Sequence, residues 1–277
     1  MDAKQRKSVI VTGGASGIGL AMVRYFASQG HRIAILDLNE EVGVKTAGQL
    51  SNDYPQAEIS FRKCDVSSWQ DQASAFEDVF QKHGALDTVL ANAGISEQGV
   101  TTAIDLREET PTEPRLKVLN INLLGVIYSV KLASHYMNKK PTFEPHGASR
   151  GLIICTASNA GLYPFPTAPL YAASKAGVIG LVRSLAQPLS QHGIQINGLA
   201  PAVLETNIAP DKALFKDMVL TPMDTLIRGV AKFVEDPSLS GEVAEIHGPN
   251  VTLRPPHEYV DDDSARNLEV FWNLGYA

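Results

Sequence analysis

Short apolar runs alternate with amphipathic stretches along most of the chain. The runs SVIVTG (8–13), RIAILDL (32–38), EISFRKCDV (58–66), DTVLANAG (87–94), GLIICTAS (151–158), IQINGLAP (194–201) and GEVAEIHG (241–248) are rich in Val and Ile and are punctuated by Gly, Asp, Asn and Pro. Runs of this length and composition predict buried strands. Between them lie segments of helical length with one apolar face, such as 17–29 and 68–82. Parallel strands need crossover connections, and helices supply them. The pattern therefore predicts an α/β fold: a doubly wound parallel sheet of about seven strands with helices on both faces.

Two stretches break the alternation. NKKPTFEPHGASR (138–150) reads as a surface loop, and from Pro249 the chain continues as a tail whose Phe271, Trp272 and Leu274 are apolar enough to dock. No fixed-period repeat or low-complexity linker divides the chain. Its 277 residues, 44% hydrophobic and 19% charged, suit a single domain (1–277), with a body at 8–248 and a tail at 249–277.

Charge and cysteine content narrow the classes. A formal net charge of -6, with no basic stripe, gives no electrostatic footprint for nucleic acid. The N-terminal apolar run is too short for a signal-peptide core, and no stretch reaches the ~18 apolar residues of a membrane span. The two cysteines, Cys64 and Cys155, lie in strand-like settings and read as reduced packing residues, so a cytoplasmic location is expected. Asn250 heads an NVT sequon, read as a chance match. The seven histidines form no His-Glu-x-x-His and the cysteines no Cys-x-x-Cys, so no metal is expected.

The first chemical signal is TGGASGIG (12–19), placed after the first strand and opening the first helix. Gly13, Gly17 and Gly19 permit a tight turn and close backbone approach, while the helix N-terminus offers N–H groups and partial positive charge to a pyrophosphate. Ser16 and Ile18 belong to the same loop. Asp37, followed by Leu38, ends the next strand 18 residues after Gly19. A carboxylate there accepts from a ribose diol and repels a 2′-phosphate, which favours NAD over NADP. Tyr171 and Lys175 stand four apart, on one helix face, with Ser158 ahead of them.

With these motifs in this order, the chain resembles the short-chain dehydrogenase/reductase family, and the resemblance runs from about 8 to 248. It implies a Rossmann-type fold and a catalytic tetrad of Asn122, Ser158, Tyr171 and Lys175. It further implies that Asp65 and Val66 contact the adenine. Asn92, Ala93 and Gly94 would line the cofactor beside the central strand, and Pro201, Val203 and Thr206 would close on the nicotinamide side, Thr206 holding the carboxamide. The family usually has glycine after Pro201; Ala202 here predicts a stiffer or displaced loop.

A free phenol has a pKa of ~10. The Lys175 ammonium and an oxidised nicotinamide would both favour phenolate, so Tyr171 is expected to exchange a proton with an alcohol or carbonyl while Ser158 steadies the same oxygen. Lys175 would also bind the nicotinamide ribose, and Asn122 would support a water leading to solvent.

The stretches 169–186 and 213–248 resemble an NAD-dependent branch of the family that oxidises secondary alcohols of lipophilic molecules. Ala168 replaces an amide of that branch, and 96–116 is longer and more acidic, so a changed substrate pocket is expected. Ser96, Tyr163, Phe165, Ala168 and Met218 are its candidate lining; Tyr163 and Phe165 are equally compatible with core.

Three functions stay open: an NAD-dependent secondary-alcohol dehydrogenase, the leading one; an NAD(P)H-dependent ketoreductase of a biosynthetic, secondary-metabolite pathway; and a non-redox cofactor-binding protein or cyclase on the same fold. The resemblance also implies a homodimer or homotetramer. Val126, Val130, Val178 and Leu181 are its candidate contacts, with burial inside one chain as the alternative.

Overall fold

A computed structural model describes residues 6–97, 108–140, 149–206 and 215–275. Seven strands fall where the apolar runs predict: β1 (Ser8–Thr12), β2 (Arg32–Asp37), β3 (Glu58–Lys63), β4 (Thr88–Ala91), β5 (Gly151–Thr156), β6 (Ile194–Pro201) and β7 (Val243–His247). An eighth, β8 (Asn250–Arg254), comes from the stretch read as tail. The sheet order is β3-β2-β1-β4-β5-β6-β7-β8; β1 to β7 pair parallel, and β8 is antiparallel to β7.

The count thus rises from about seven to eight for a definite reason. β8 alternates, with Val251 and Leu253 packed on the core while Asn250 is exposed, and it lacks the continuous apolar run of a doubly covered strand. Gly248, at φ 48°, turns the chain back.

The helices are α1 (Gly17–Ser28), α2 (Glu40–Asp53), α3 (Trp69–His83), α4 (Lys117–Leu119), α5 (Gly125–Asn138), α6 (Pro169–Ser190), α7 (Met223–Glu235) and α8 (Asp262–Leu274); a π-helical segment, Asn120–Leu124, joins α4 to α5. Successive strand residues face opposite sides. Ile10 and Ala91 join the layer of α3, α5 and α6, while Val9, Val11, Ile33 and Ile35 join that of α1, α2 and α7. Both faces of the central strands are covered, as the unbroken apolar runs of β1, β2, β4 and β5 require.

Val126, Val130 and Val178 are at most 3% exposed and belong to the first of these cores, with Leu181 packed against it. Their apolar character is explained within one chain and carries no argument for an oligomer. Cys64 and Cys155 are free, buried thiols, each pushed up to about 12 chiefly by burial. Of the loop 138–150, residues 141–148 lie outside the described residues. No helix among the described residues is long and apolar enough to cross a membrane. The α8 helix buries none of its residues; Phe271 and Leu274 are exposed.

Candidate active site

The strand order reverses between β1 and β4, the point beyond whose C-terminal strand ends open α/β sheets take their ligands. The glycine loop lies there. A Cβ on Gly13, whose φ is 64°, would come within 2.9 Å of the Ala93 backbone, and one on Gly19 within 2.1 Å of the Gly13 carbonyl oxygen. Gly17 faces Thr206, whose Cβ lies 3.5 Å from where its own would be. The two ends of the expected cofactor site, residues 13–19 and 201–206, therefore converge.

The start of α1 suits an anion. Ser16 occupies the N-cap without making a side-chain cap, and no acid stands in the first turn. By contrast, Asn39 caps α2 and Ser68 caps α3. Open donors, glycines that admit close approach and a carboxylate beside them fit a dinucleotide. That carboxylate is Asp37, which accepts from the N–H of Ala15, inside the glycine loop, at 3.1 Å and of Asn39 at 3.0 Å.

The neighbouring residues follow. Leu38 is 60% exposed, and Asp65 accepts from the amide and hydroxyl of Ser67. Val66 is buried, its carbonyl held by Gln72 at 2.6 Å, and Ile18 packs partly on the core. Asn92 joins three strand ends: its Nδ2 donates to the Thr12 carbonyl at 3.1 Å, and its Oδ1 accepts from the Thr156 hydroxyl at 3.0 Å. Pro201 ends β6, and the Val203 carbonyl accepts from Thr221 at 2.8 Å. Ala202 donates to Ile246 at 2.8 Å, and no described non-glycine residue has positive φ, so the alanine sits in ordinary backbone.

The four expected catalytic residues come together. Ser158 ends the β5 run and caps the one-turn 3-10 helix Asn159–Gly161. That turn lies against α6: a Cβ on Gly161 would stand 2.8 Å from the Lys175 carbonyl oxygen. This close approach sets the Ser158 hydroxyl near the Tyr171 phenol, where it works against the rise in the phenol's pKa. The Lys175 ammonium is 3% exposed, donates to the Thr156 carbonyl at 2.8 Å, and lies 5.7 Å from the Tyr171 ring centroid. Asn122, fully buried in the π segment, clasps the backbone of Ile95; its Oδ1 accepts from that N–H at 2.8 Å and its Nδ2 donates to that carbonyl at 2.9 Å. The Gly94 Cα–H faces both groups: a Cβ there would lie 3.2 Å from Asn122 Oδ1 and 3.5 Å from Lys175 Nζ.

The electrostatics depart from expectation in one respect. Burial pushes the Tyr171 phenol above its usual value, and the Ser158 hydroxyl only partly opposes this. Lys175 is itself pushed down to about 8 by desolvation, and it spends a hydrogen bond on Thr156. In the chain alone, then, the nearby ammonium does not make the phenol acidic. A positive charge bound beside the phenol would oppose the shift.

The substrate candidates divide. Phe165 meets Tyr171 edge-on, with centroids 6.4 Å apart. Ala168 is buried at the N-cap of α6, and Ser96 is half-buried in the loop after β4. Tyr163 is instead tied to the sheet edge: its hydroxyl donates to Glu245 at 3.1 Å and accepts from Arg254 at 2.5 Å. Met218 is 48% exposed, in a turn closed on the Phe215 carbonyl.

Sequence reading missed Glu97, whose Oε2 accepts from the N–H groups of Leu170 at 2.9 Å and Tyr171 at 3.1 Å. It also missed Thr156, since a carbonyl that receives a lysine leaves no trace in the letters. For Glu97 a faint signal existed: Ala168-Pro169 opens a helix with no capping side chain of its own.

Comparison with known proteins agrees with this geometry. The family profile described as short chain dehydrogenase matches residues 7–216. The mouse 15-hydroxyprostaglandin dehydrogenase [NAD(+)] is 30% identical over 259 residues, 87% of this chain and 89% of that protein. A Penicillium rubens relative, short-chain dehydrogenase/reductase prx7, is 36% identical over 69% of this chain but only 66% of its own length. Among solved structures, levodione reductase superposes with a TM-score of 0.74 at 25% identity, covering 87% of this chain and 96% of that one. The glycine loop, the Tyr171/Lys175 helix and these similarities together place the chain in the short-chain dehydrogenase/reductase family.

Proposed function

We propose that this chain is an NAD-dependent dehydrogenase that oxidises a secondary alcohol on a lipophilic small molecule to a ketone, with Tyr171 as the proton-transfer residue. The observation that carries the reading is the grouping of Ser158, Tyr171 and Lys175 with Gly94, next to the Ala93 backbone that Gly13 of the glycine loop approaches, ahead of an open helix start. A nicotinamide dinucleotide, held by Gly13 to Gly19 and Asp37, would supply the hydride acceptor.

The remaining work falls to the protein. Ser158 presents its hydroxyl to the substrate oxygen and steadies charge developing on it. Tyr171 Oη takes the hydroxyl proton, and the buried Lys175 ammonium stabilises the phenolate that forms. Asn122 holds the loop after β4 through Ile95 and keeps Gly94 close to both Asn122 Oδ1 and Lys175 Nζ. Phe165 offers an apolar surface beside the phenol, in keeping with a lipophilic substrate.

The Asp37 carboxylate supports NAD, since it would face a 2′-phosphate with like charge. A ketoreductase would use the same groups in reverse; the fungal relative named above is the observation that keeps it as the second reading.

The test pairs binding with turnover. NADH should quench or shift fluorescence at lower concentration than NADPH. A panel of lipophilic secondary alcohols should reduce NAD, read at the nicotinamide absorbance. Tyr171→Phe should bind NADH as the parent does yet lose about a thousandfold or more in turnover, the scale of removing a general base together with its oxyanion contact. Full turnover in that variant would overturn the assignment.

A further inference from the structure

The start of α6 admits a complete account of its backbone donors. Ala168, at the N-cap, makes no side-chain bond, and Pro169 has no N–H. Leu170 and Tyr171 both donate to one oxygen of Glu97, and Ala172 already donates to the Ala168 carbonyl at 3.0 Å. The first-turn donors are thus met by a carboxylate more than seventy residues away in sequence, one that also complements the helix dipole.

That carboxylate sits on the stretch following β4, which is fastened at two other points. Asn92 binds Thr12 and Thr156, and Ile95 is clasped by Asn122. Thr156 in turn receives Lys175. One short segment therefore fixes the backbone of Tyr171, the Asn122 turn and, through Thr156, the lysine.

We propose that Glu97 is a positioning residue for Tyr171: its carboxylate caps the tyrosine helix from the loop after β4 and holds the phenol in register with Ser158. The inference rests on the reading of Tyr171 as the proton-transfer residue. An ordinary N-cap would be a local Ser, Thr, Asp or Asn and would serve helix stability alone. A cap supplied by the loop after β4 couples the helix to that loop, so its loss displaces the phenol as well as freeing two amides.

The test compares Glu97→Gln, which keeps an acceptor oxygen of the same reach, with Glu97→Ala, which does not. In Glu97→Ala, amide hydrogen exchange at Leu170 and Tyr171 should speed by about tenfold. Its kcat should fall between about tenfold and a hundredfold, the cost of a small misplacement of a reacting group. NADH affinity should hold, because no cofactor-loop residue is altered. Glu97→Gln should stay close to the parent in both readouts, a rescue that also shows the fold is intact.

Equal exchange and equal kcat in Glu97→Ala and the parent would overturn the proposal, as would a loss that tracks NADH affinity alone. The two readings fail separately. If Tyr171→Phe kept full turnover, the proton-transfer assignment would fall, while exchange at residues 170 and 171 would still report whether Glu97 is the cap.

Discussion

At the residue scale the least expected value belongs to Lys175. A lysine ordinarily titrates near 10.5, and burial holds this one at about 8, with only the neighbouring Cys155 thiol favouring its charged form. Below about pH 8 folded and unfolded chains both carry the proton, and the folded chain bears the full desolvation cost. As pH rises from about 8 towards 10.5 the folded chain loses its proton first. The unfolded state then binds more protons, so stability contributed at this site rises with pH. Lys175→Met, similar in length and without charge, lacks this dependence. Measured as paired urea midpoints, the parent should gain on the order of 2 kcal/mol relative to Lys175→Met between about pH 7 and about pH 9.5. Other titrations are common to both chains and cancel. A gap that stays constant over that range would mean that the ammonium is not desolvated as the structure places it. The same burial raises Tyr171, so the pair is set against charge.

At the scale of the element, the turn from β1 into α1 depends on what is absent. A Cβ on Gly19 would lie 2.1 Å from the Gly13 carbonyl oxygen and 2.7 Å from Asn92 Nδ2. Backbone cannot yield cheaply there, and the side chain joins three strand ends. Gly19→Ala should therefore destabilise the fold by roughly 1–3 kcal/mol, the usual cost of forced overpacking, and weaken NADH binding together with it. Thermal melts and an NADH titration check both; an unchanged affinity would show that the loop does not approach the ligand. This element was legible in the letters, because a strand-turn-helix with three glycines has few other physical uses. So were the first seven strands, above all β1, β2, β4 and β5, whose unbroken apolar runs leave little choice of environment. The residues that align the site were not. Glu97 reads as one more acid in a polar stretch, and its partners are backbone amides that every sequence contains. Tyr163 reads equally as pocket or core, and the bonds of its hydroxyl to Glu245 and Arg254 need the sheet order to be seen.

That last cluster matters for the molecule as a whole, because it links the proposed site to the far edge of the sheet. Glu245, only 6% exposed on β7, receives Arg254 Nε at 2.5 Å from β8 and the Tyr163 hydroxyl at 3.1 Å from the loop after Ser158. Arg183, on the tyrosine helix, donates to the Arg254 carbonyl at 3.2 Å and the Pro255 carbonyl at 2.9 Å. The added strand therefore touches both α6, which carries Tyr171 and Lys175, and the loop that follows Ser158. Which partner is lost should decide the cost. Arg254→Leu strands a buried carboxylate with a single neutral donor, whereas Glu245→Leu removes the buried charge and leaves an arginine that can turn to water. The urea midpoint should accordingly fall further in Arg254→Leu than in Glu245→Leu, although arginine is the more exposed of the two. Limited proteolysis should show the 161–166 loop cut sooner in Arg254→Leu, since Tyr163 then keeps only one of its two hydroxyl partners. Equal midpoints, or the reverse order, would mean that solvent already screens the carboxylate and that β8 covers the edge without steering the loop.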